Sequence, residues 1–170
     1  LMKRVGAPAL SPDGRLVVVQ VTEPAYDEKD KSSDLWLVPA DGSALPRQIT
    51  FSKGAETGVA WSPDSRRVGF CAKREGHDES QIFVLDIAGG GEAERVTDVS
   101  TGPSRPHRSP DGAAVLFTSM TYPGAVSDAD NKARIDAMKA RKYNARPYDS
   151  FPIRHWDRWQ DEPRPTLIVA

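Results

Sequence analysis

The sequence predicts an all-β chain, a partial β-propeller of about three four-stranded blades with a helical insertion in the third. Three observations carry that prediction. A short phrase recurs: Ser11-Pro12-Asp13-Gly14, Ser62-Pro63-Asp64-Ser65 and Ser109-Pro110-Asp111-Gly112, spaced 51 and 47 residues apart. A repeat near 50 residues, made of strands and tight turns, is the spacing of propeller blades. Each phrase is followed by a run of β-branched or aromatic residues. The third observation is that inner strands are apolar on both faces: Phe83, Leu85 and Ile87 alternate with Ile82, Val84 and Asp86. A strand covered by neighbours on both sides needs such a pattern.

The first blade, about 5–54, reads as four strands. Strand a is Val5 to Leu10. In the phrase at 11–14, Pro12 presets φ, Asp13 bonds the local backbone and Gly14 accepts a positive φ. Strand b is Arg15 to Thr22, and a charged loop, Glu23 to Asp34, follows it. Strand c is Leu35 to Val38, ended by Pro39 and Asp41-Gly42, and strand d is Arg47 to Phe51.

The second blade, about 58–102, repeats the plan with Gly58 to Trp61, Arg67 to Ala72, Gln81 to Ile87 and Glu94 to Asp98. Ser65 stands where glycine is easiest, so strain is expected in that turn. The third blade, about 103–170, opens on the poor strand Arg105 to Arg108 and continues in Ala114 to Ser119. An insertion at 123–162 interrupts it. Within that insertion Ser127 to Asn144 reads as a helix capped by Ser127 or Asp128, with Ile135, Met138 and the stem of Lys142 on one face. Tyr148 to Trp159 reads as irregular, and Thr166 to Val169 supplies strand c, with strand d missing. Val5 to Leu10 and Thr166 to Ala170 both read as strands already under way, so both ends are expected to be internal to a longer protein.

Bulk properties narrow the function. Lys and Arg number 23 against 24 Asp and Glu, a net charge of -1, which argues against nucleic acid as a partner. No apolar stretch approaches the roughly 20 residues of a membrane-spanning helix, so no membrane partner is expected. Cys71 is the one cysteine, so no internal disulfide forms. That suits the cytoplasm, and a disulfide-free periplasmic protein has the same signature.

Few residues carry the makings of chemistry. Gly89-Gly90-Gly91 follows a strand with no helix after it, so it reads as a hairpin turn rather than a phosphate cradle. No Gly-x-Ser-x-Gly elbow occurs, and Ser11, Ser62 and Ser109 are turn residues by repetition. With His77, His107 and His155 scattered, no Ser-His-Asp triad is expected, and no catalytic residue is assigned. His77-Asp78-Glu79 and Asp27 to Asp30 lack the spacing of zinc or calcium sites, so neither metal nor cofactor is expected. Cys71 reads as a buried structural thiol. Lys132, Arg134, Lys139, Arg141, Lys142 and Arg146 make the insertion basic; such a face suits nucleic acid or an acidic partner, and more often is solvated or docked on an acidic surface of the same molecule. The densest stretch is Tyr148 to Trp159, where four aromatics interleave with Arg154, His155, Asp157 and Arg158. Arg154, His155, Trp156, Asp157, Arg158 and Trp159 are the substrate- or partner-facing candidates. An equal reading has the aromatics plugging a gap or docking a neighbouring blade.

The repeated Ser-Pro-Asp-Gly turns, the helical insertion, and Lys142-Tyr143-Asn144-Ala145-Arg146 leading to the Arg154 to Trp159 run resemble the N-terminal propeller of prolyl-oligopeptidase-type serine peptidases. The branch is the acylaminoacyl-peptidase and dipeptidyl-peptidase-like one. The turn phrase is shared with Tol-system periplasmic propellers; the insertion is the more discriminating part. The resemblance implies a propeller of about seven blades over an α/β-hydrolase domain, which carries the Ser-His-Asp site and admits short or N-acylated peptides. It implies as partners that C-terminal domain, the remaining blades and short peptide substrates; the unpaired strand edge around Leu167 to Val169 is expected to recruit the rest of the protein, a second copy of the chain or a cleaved partner. It places no catalytic residue in these 170 positions, so the chain is expected to be inactive by itself. The reading from another class is a non-enzymatic protein-interaction propeller of the Tol-system type.

Overall fold

The computed structural model describes residues 2–25, 27, 32–52, 54–143, 154–155, 158–159 and 162–170. It holds three antiparallel sheets in chain order, one helix and one short hairpin. The chain is thus mostly β, in the plan of a partial propeller.

The first sheet contains β1 (Arg4–Val5), β2 (Ala9–Leu10), β3 (Leu16–Glu23), β4 (Ser32–Pro39) and β5 (Arg47–Gln48). Its order is β1-β3-β4-β5, with β2 also paired to β3. The expected continuous strand a is therefore split in two. Pro8 lies in the gap and has no N–H to donate, while Gly6 keeps contact by donating to the Gln20 carbonyl at 2.7 Å. β4 begins earlier than its apolar run, inside the stretch expected to be loop. Buried Ser33 explains this, because Gln20 donates to its hydroxyl at 2.7 Å and Thr22 bonds it at 2.9 Å.

The second sheet runs β6 (Glu56–Trp61), β7 (Arg67–Ala72), β8 (Gln81–Asp86) and β9 (Glu94–Arg95) in that order. Both outermost strands, β5 and β9, are shorter than the sequence pattern implies. After one further backbone bond each, threonine hydroxyls replace the ladder. Leu35 N–H donates to Thr50 Oγ1, and Ile82 N–H to Thr97 Oγ1, each at 2.8 Å. The third sheet is β10 (Ser104–Arg108), β11 (Val115–Thr121) and β14 (Arg164–Val169). Between β11 and β14 lie α1 (Asp128–Lys139), β12 (Arg154–His155) and β13 (Arg158–Trp159), the last two paired with each other. That hairpin falls within the stretch expected to be irregular.

The sheets stack face to face through two apolar layers. Val18, Leu35, Leu37, Val68, Phe70, Ala72, Phe83 and Leu85 fill the first, between the first two sheets. Cys71, Ile82, Val115 and Phe117 fill the second, between the second and third. Trp61 crosses the first junction and donates its indole N–H to the Ala9 carbonyl at 2.9 Å. β6 carries a register shift between Thr57 and Ala60, where Gly58 sits at φ +66°. A Cβ there would come within 2.9 Å of Pro106 Cδ in β10, so only glycine lets these two innermost strands approach.

The three repeated turns are one device built three times. In the first, Gly14 N–H donates to the Ser11 carbonyl at 2.9 Å, closing the turn. Ser11 Oγ donates to Asp13 Oδ1 at 2.6 Å while accepting the Leu16 N–H at 2.9 Å, and Asp13 Oδ1 accepts the Arg15 N–H. Ser62–Asp64 and Ser109–Asp111 repeat these bonds. The serine hydroxyl, then the backbone N–H, hold each aspartate below the usual carboxylate range. Ser65 does adopt the left-handed backbone, φ +58°, and its hydroxyl accepts the Asp13 N–H at 3.1 Å from the neighbouring turn. That bond links adjacent turns in a way glycine does not. Ser62 is buried, so Ser62→Ala strands the Arg67 N–H and is expected to cost about 1–3 kcal/mol. Urea unfolding of the variant measures it; an unchanged midpoint would contradict the role given to this hydroxyl.

Candidate functional site

The candidate residues from the sequence fall at the hairpin of the insertion. The register there is Arg154↔Trp159 and His155↔Arg158. Trp156 and Asp157 lie outside the described residues, as do Tyr148 and Phe151. Arg154, His155, Arg158 and Trp159 therefore pair their backbones between α1 and β14 in the chain.

The helix before it is placed by polar contacts. Ser127 caps α1, accepting the Asp130 N–H at 3.2 Å, and Asp128 and Asp130 sit in the first turn where the helix dipole favours negative charge. Asp128 Oδ1 accepts both the N–H and the hydroxyl of Ser100, at 3.0 and 2.8 Å. Asn131 is the one buried residue of the helix. Its Oδ1 accepts the Tyr122 N–H at 2.9 Å, and its Nδ2 donates to the Met120 carbonyl at 3.2 Å. Ile135 and Met138 continue that face as expected; Ile135 is half-buried and Met138 Sδ accepts the Tyr122 hydroxyl at 2.7 Å. Lys132, Lys139, Arg141 and Lys142 are exposed, and Arg134 donates to the Pro123 carbonyl at 2.7 Å. Asn131 and Asp128 are the residues sequence reasoning missed. An asparagine in mid-helix, where its propensity is poor, was the available signal.

Among the clefts on the described surface are two near these elements. One, of about 840 Å³, lies where the outer strands of the first two sheets diverge, and Thr50, Ser52, Arg74, His77, Leu85 and Ala93 line it. Arg74 lies over the Phe83 ring, 4.5 Å from its centre. The other, of about 340 Å³, lies between the 76–79 loop and α1, with Asp78, Glu79, Asp98, Asp128, Lys132 and Asp136 on its walls. Neither brings a nucleophile, a base and an orienting group together. The serines of the three turns are bonded to their own aspartates, and His77 faces Arg95 at 3.3 Å. Among the described residues no three His, Cys, Asp or Glu side chains come together as a metal site. Burial raises the Cys71 thiol to about 11, far from the thiolate that nucleophilic chemistry needs. Gly89-Gly90-Gly91 is a turn, its N-terminal end held by Asp86 Oδ1, which accepts the Ala88 and Gly89 N–H groups. Among the described residues no helix is long and apolar enough to cross a membrane.

Stacked antiparallel sheets closed by repeated Ser-Pro-Asp turns define the module of a β-propeller. The chain belongs to the TolB beta propeller domain family, PD40, whose model matches residues 2–142. By sequence it is 30% identical over 133 residues to the uncharacterized peptidase YuxL of Bacillus subtilis, covering 78% of this chain and 20% of that protein. It is 30% identical over 170 residues to dipeptidyl-peptidase 5 of Porphyromonas gingivalis, covering 99% of this chain and 23% of the relative. The chain thus spans about a fifth to a quarter of the length of these peptidases. Among solved structures, an acylaminoacyl peptidase bound to Z-Gly-Gly-Phe-chloromethyl ketone shares the fold over 98% of this chain and 23% of its own, with TM-score 0.64 and 13% identity. A putative TolB from Agrobacterium tumefaciens matches over 70% of this chain and 39% of its own, with TM-score 0.53 and 29% identity.

Proposed function

We propose that this chain is the substrate-gating, non-catalytic propeller part of a serine peptidase of the prolyl-oligopeptidase type, acting on short or N-acylated peptides. The observation that carries this reading is the extent of the likeness. The dipeptidyl-peptidase 5 sequences align over 99% of the chain, through the helix and hairpin of the insertion. The TolB structures reach 70% and 72%. In this reading the Ser-His-Asp residues lie in an α/β-hydrolase domain of the same protein, outside these 170 positions. The stacked sheets form part of the lid through which peptides pass, and the Arg154 to Trp159 hairpin faces substrate or that domain. Its partners are the hydrolase domain, the other blades and short peptides. A cytoplasmic location suits the single buried thiol.

The second reading, a protein-interaction propeller of the TolB type, is favoured by the family model and by the 29% identity to the Agrobacterium protein. Chromogenic dipeptidyl and acyl-amino-acid substrates separate the two. The whole protein is expected to release chromophore and to lose this activity to a serine-directed phosphonate, while the 170-residue chain releases none. No turnover by the whole protein on any of these substrates supports the TolB reading instead. Turnover by the purified 170 residues overturns the assignment of a non-catalytic role.

A further inference from the structure

The crossover from the first sheet to the second is tied by two acids, and the crossover from the second to the third is tied by an amide. In the second sheet Gln81 precedes Ile82, whose N–H bonds Thr97. The Gln81 amide oxygen accepts the Thr97 hydroxyl at 2.9 Å and the Val99 N–H at 3.1 Å, and its Nε2 donates to the Val99 carbonyl at 2.9 Å. That clasp is neutral and its hydrogen bonds are made. In the first sheet the corresponding position, before Leu35, is Asp34. It is 7% exposed, and its Oδ1 has no hydrogen-bond partner. Thr50 Oγ1 accepts the Leu35 N–H and donates in turn to Glu56 Oε2, which is wholly buried at the start of β6. Ser52 Oγ donates to Glu56 Oε1 at 3.1 Å, and a parallel bridge joins Ser33 to Ala55 beside it.

Two carboxylates buried at one crossover, one of them with an unpartnered oxygen, are costly when both are charged. We propose that the buried Asp34 and Glu56 carboxyls keep a proton to higher pH than exposed carboxyls do, and that this proton latches the crossover between the first and second sheets. Loss of the proton loosens the latch.

The surroundings fit. Burial, and then the charge of Glu23, push the Asp34 carboxyl up, while the Ser52 N–H and the Ser32 hydroxyl oppose this. Burial, and then the charge of Asp34, push Glu56 up; the Thr50 and Ser52 hydroxyls and the Arg74 charge oppose it. Lys73, Glu75 and His77 are the other charged or titratable groups lining the cleft beside Thr50 and Ser52. Both acids are raised, so each contributes stability that is complete below the ordinary carboxyl range, about pH 4, and is lost as pH rises through the folded value.

The test uses amide exchange, with rates divided by the intrinsic rate at each pH. The Leu35 and Ile82 amides report on the two clasps within one molecule. The Leu35 protection factor is expected to fall several-fold as pH rises above the ordinary carboxyl range, while that of Ile82 stays level. In Glu56→Gln the Leu35 fall disappears, since the Ser52 hydroxyl is free to donate to the Gly54 carbonyl, 3.2 Å away, and to accept from the new amide. Asp34→Asn supplies at the first clasp the kind of amide that Gln81 supplies at the second, and is expected to flatten the profile as well. Parallel profiles for Leu35 and Ile82, or a fall that survives in both variants, overturn the proposal. If neither variant folds, carboxyl carbon shifts of the unsubstituted chain decide: ordinary titration midpoints for both Asp34 and Glu56 reject the latch.

Discussion

Phe70→Ala is expected to lower the unfolding free energy by about 3–5 kcal/mol, the usual cost of emptying a phenylalanine site in a close-packed core. Phe70 is wholly buried in the middle of the second sheet, and its ring stacks on Phe83 with centroids 6.2 Å apart and planes 23° from parallel. It belongs to the layer that joins the first sheet to the second, beside Val18, Leu35 and Leu37. The site cannot collapse cheaply, because two sheets fix its walls and Gly69 and Cys71 on either side face the other way. A typical domain has about 5–15 kcal/mol in total, so this one change removes a large share of it. Urea unfolding followed by tryptophan fluorescence measures the loss, with Trp36 and Trp61 in the two sheets as reporters. A loss under about 1 kcal/mol, far below the usual cost of such a cavity, would mean that the sheets do not stack through this layer. Phe83→Leu, which keeps most of the volume, is expected to cost much less.

The repeats made this layer legible before any coordinates. Phe70 and Phe83 lie in runs apolar on both faces, and a strand needs that pattern only when sheets cover it on both sides. The Ser-Pro-Asp turns were legible for a local reason: their serine and aspartate side chains bond the backbone within the same turn. What the sequence hid were partnerships made at long range. Ser33 looked like loop because its hydroxyl is satisfied by Gln20 and Thr22 rather than by water. Strands β5 and β9 looked longer than they are because a threonine hydroxyl takes over the ladder, and Thr50 and Thr97 also suit a strand by propensity. Glu56 gave no sign of burial, since the hydroxyls that receive it, on Thr50 and Ser52, follow the last strand of the other sheet. The candidate run from Arg154 to Trp159 was visible as composition, and the fold adds that its backbone pairs as a hairpin.

Asn131→Ala is expected to undock the helical insertion at a cost of about 2–5 kcal/mol, from the partners it leaves unsatisfied. Its side chain is 1% exposed on a helix that is otherwise mostly in solvent. The Oδ1 atom takes the Tyr122 N–H, and Nδ2 reaches the Met120 carbonyl and the Ser100 hydroxyl, the latter at 3.3 Å. One side chain therefore ties the helix both to the end of β11 and to the crossover that precedes β10. Alanine is the better helix former by up to about 0.7 kcal/mol, so a helix held by propensity alone would gain from the change. The two accounts thus differ in sign. Amide exchange at Tyr122 and through 132–139 is expected to accelerate strongly in the variant, and trypsin to cut sooner at Lys132, Arg134 and Lys139. The first two sheets, whose strands make no hydrogen bond to Asn131, should keep their protection. Unchanged exchange in α1 would show that its docking rests on Asp128 and Met138 instead.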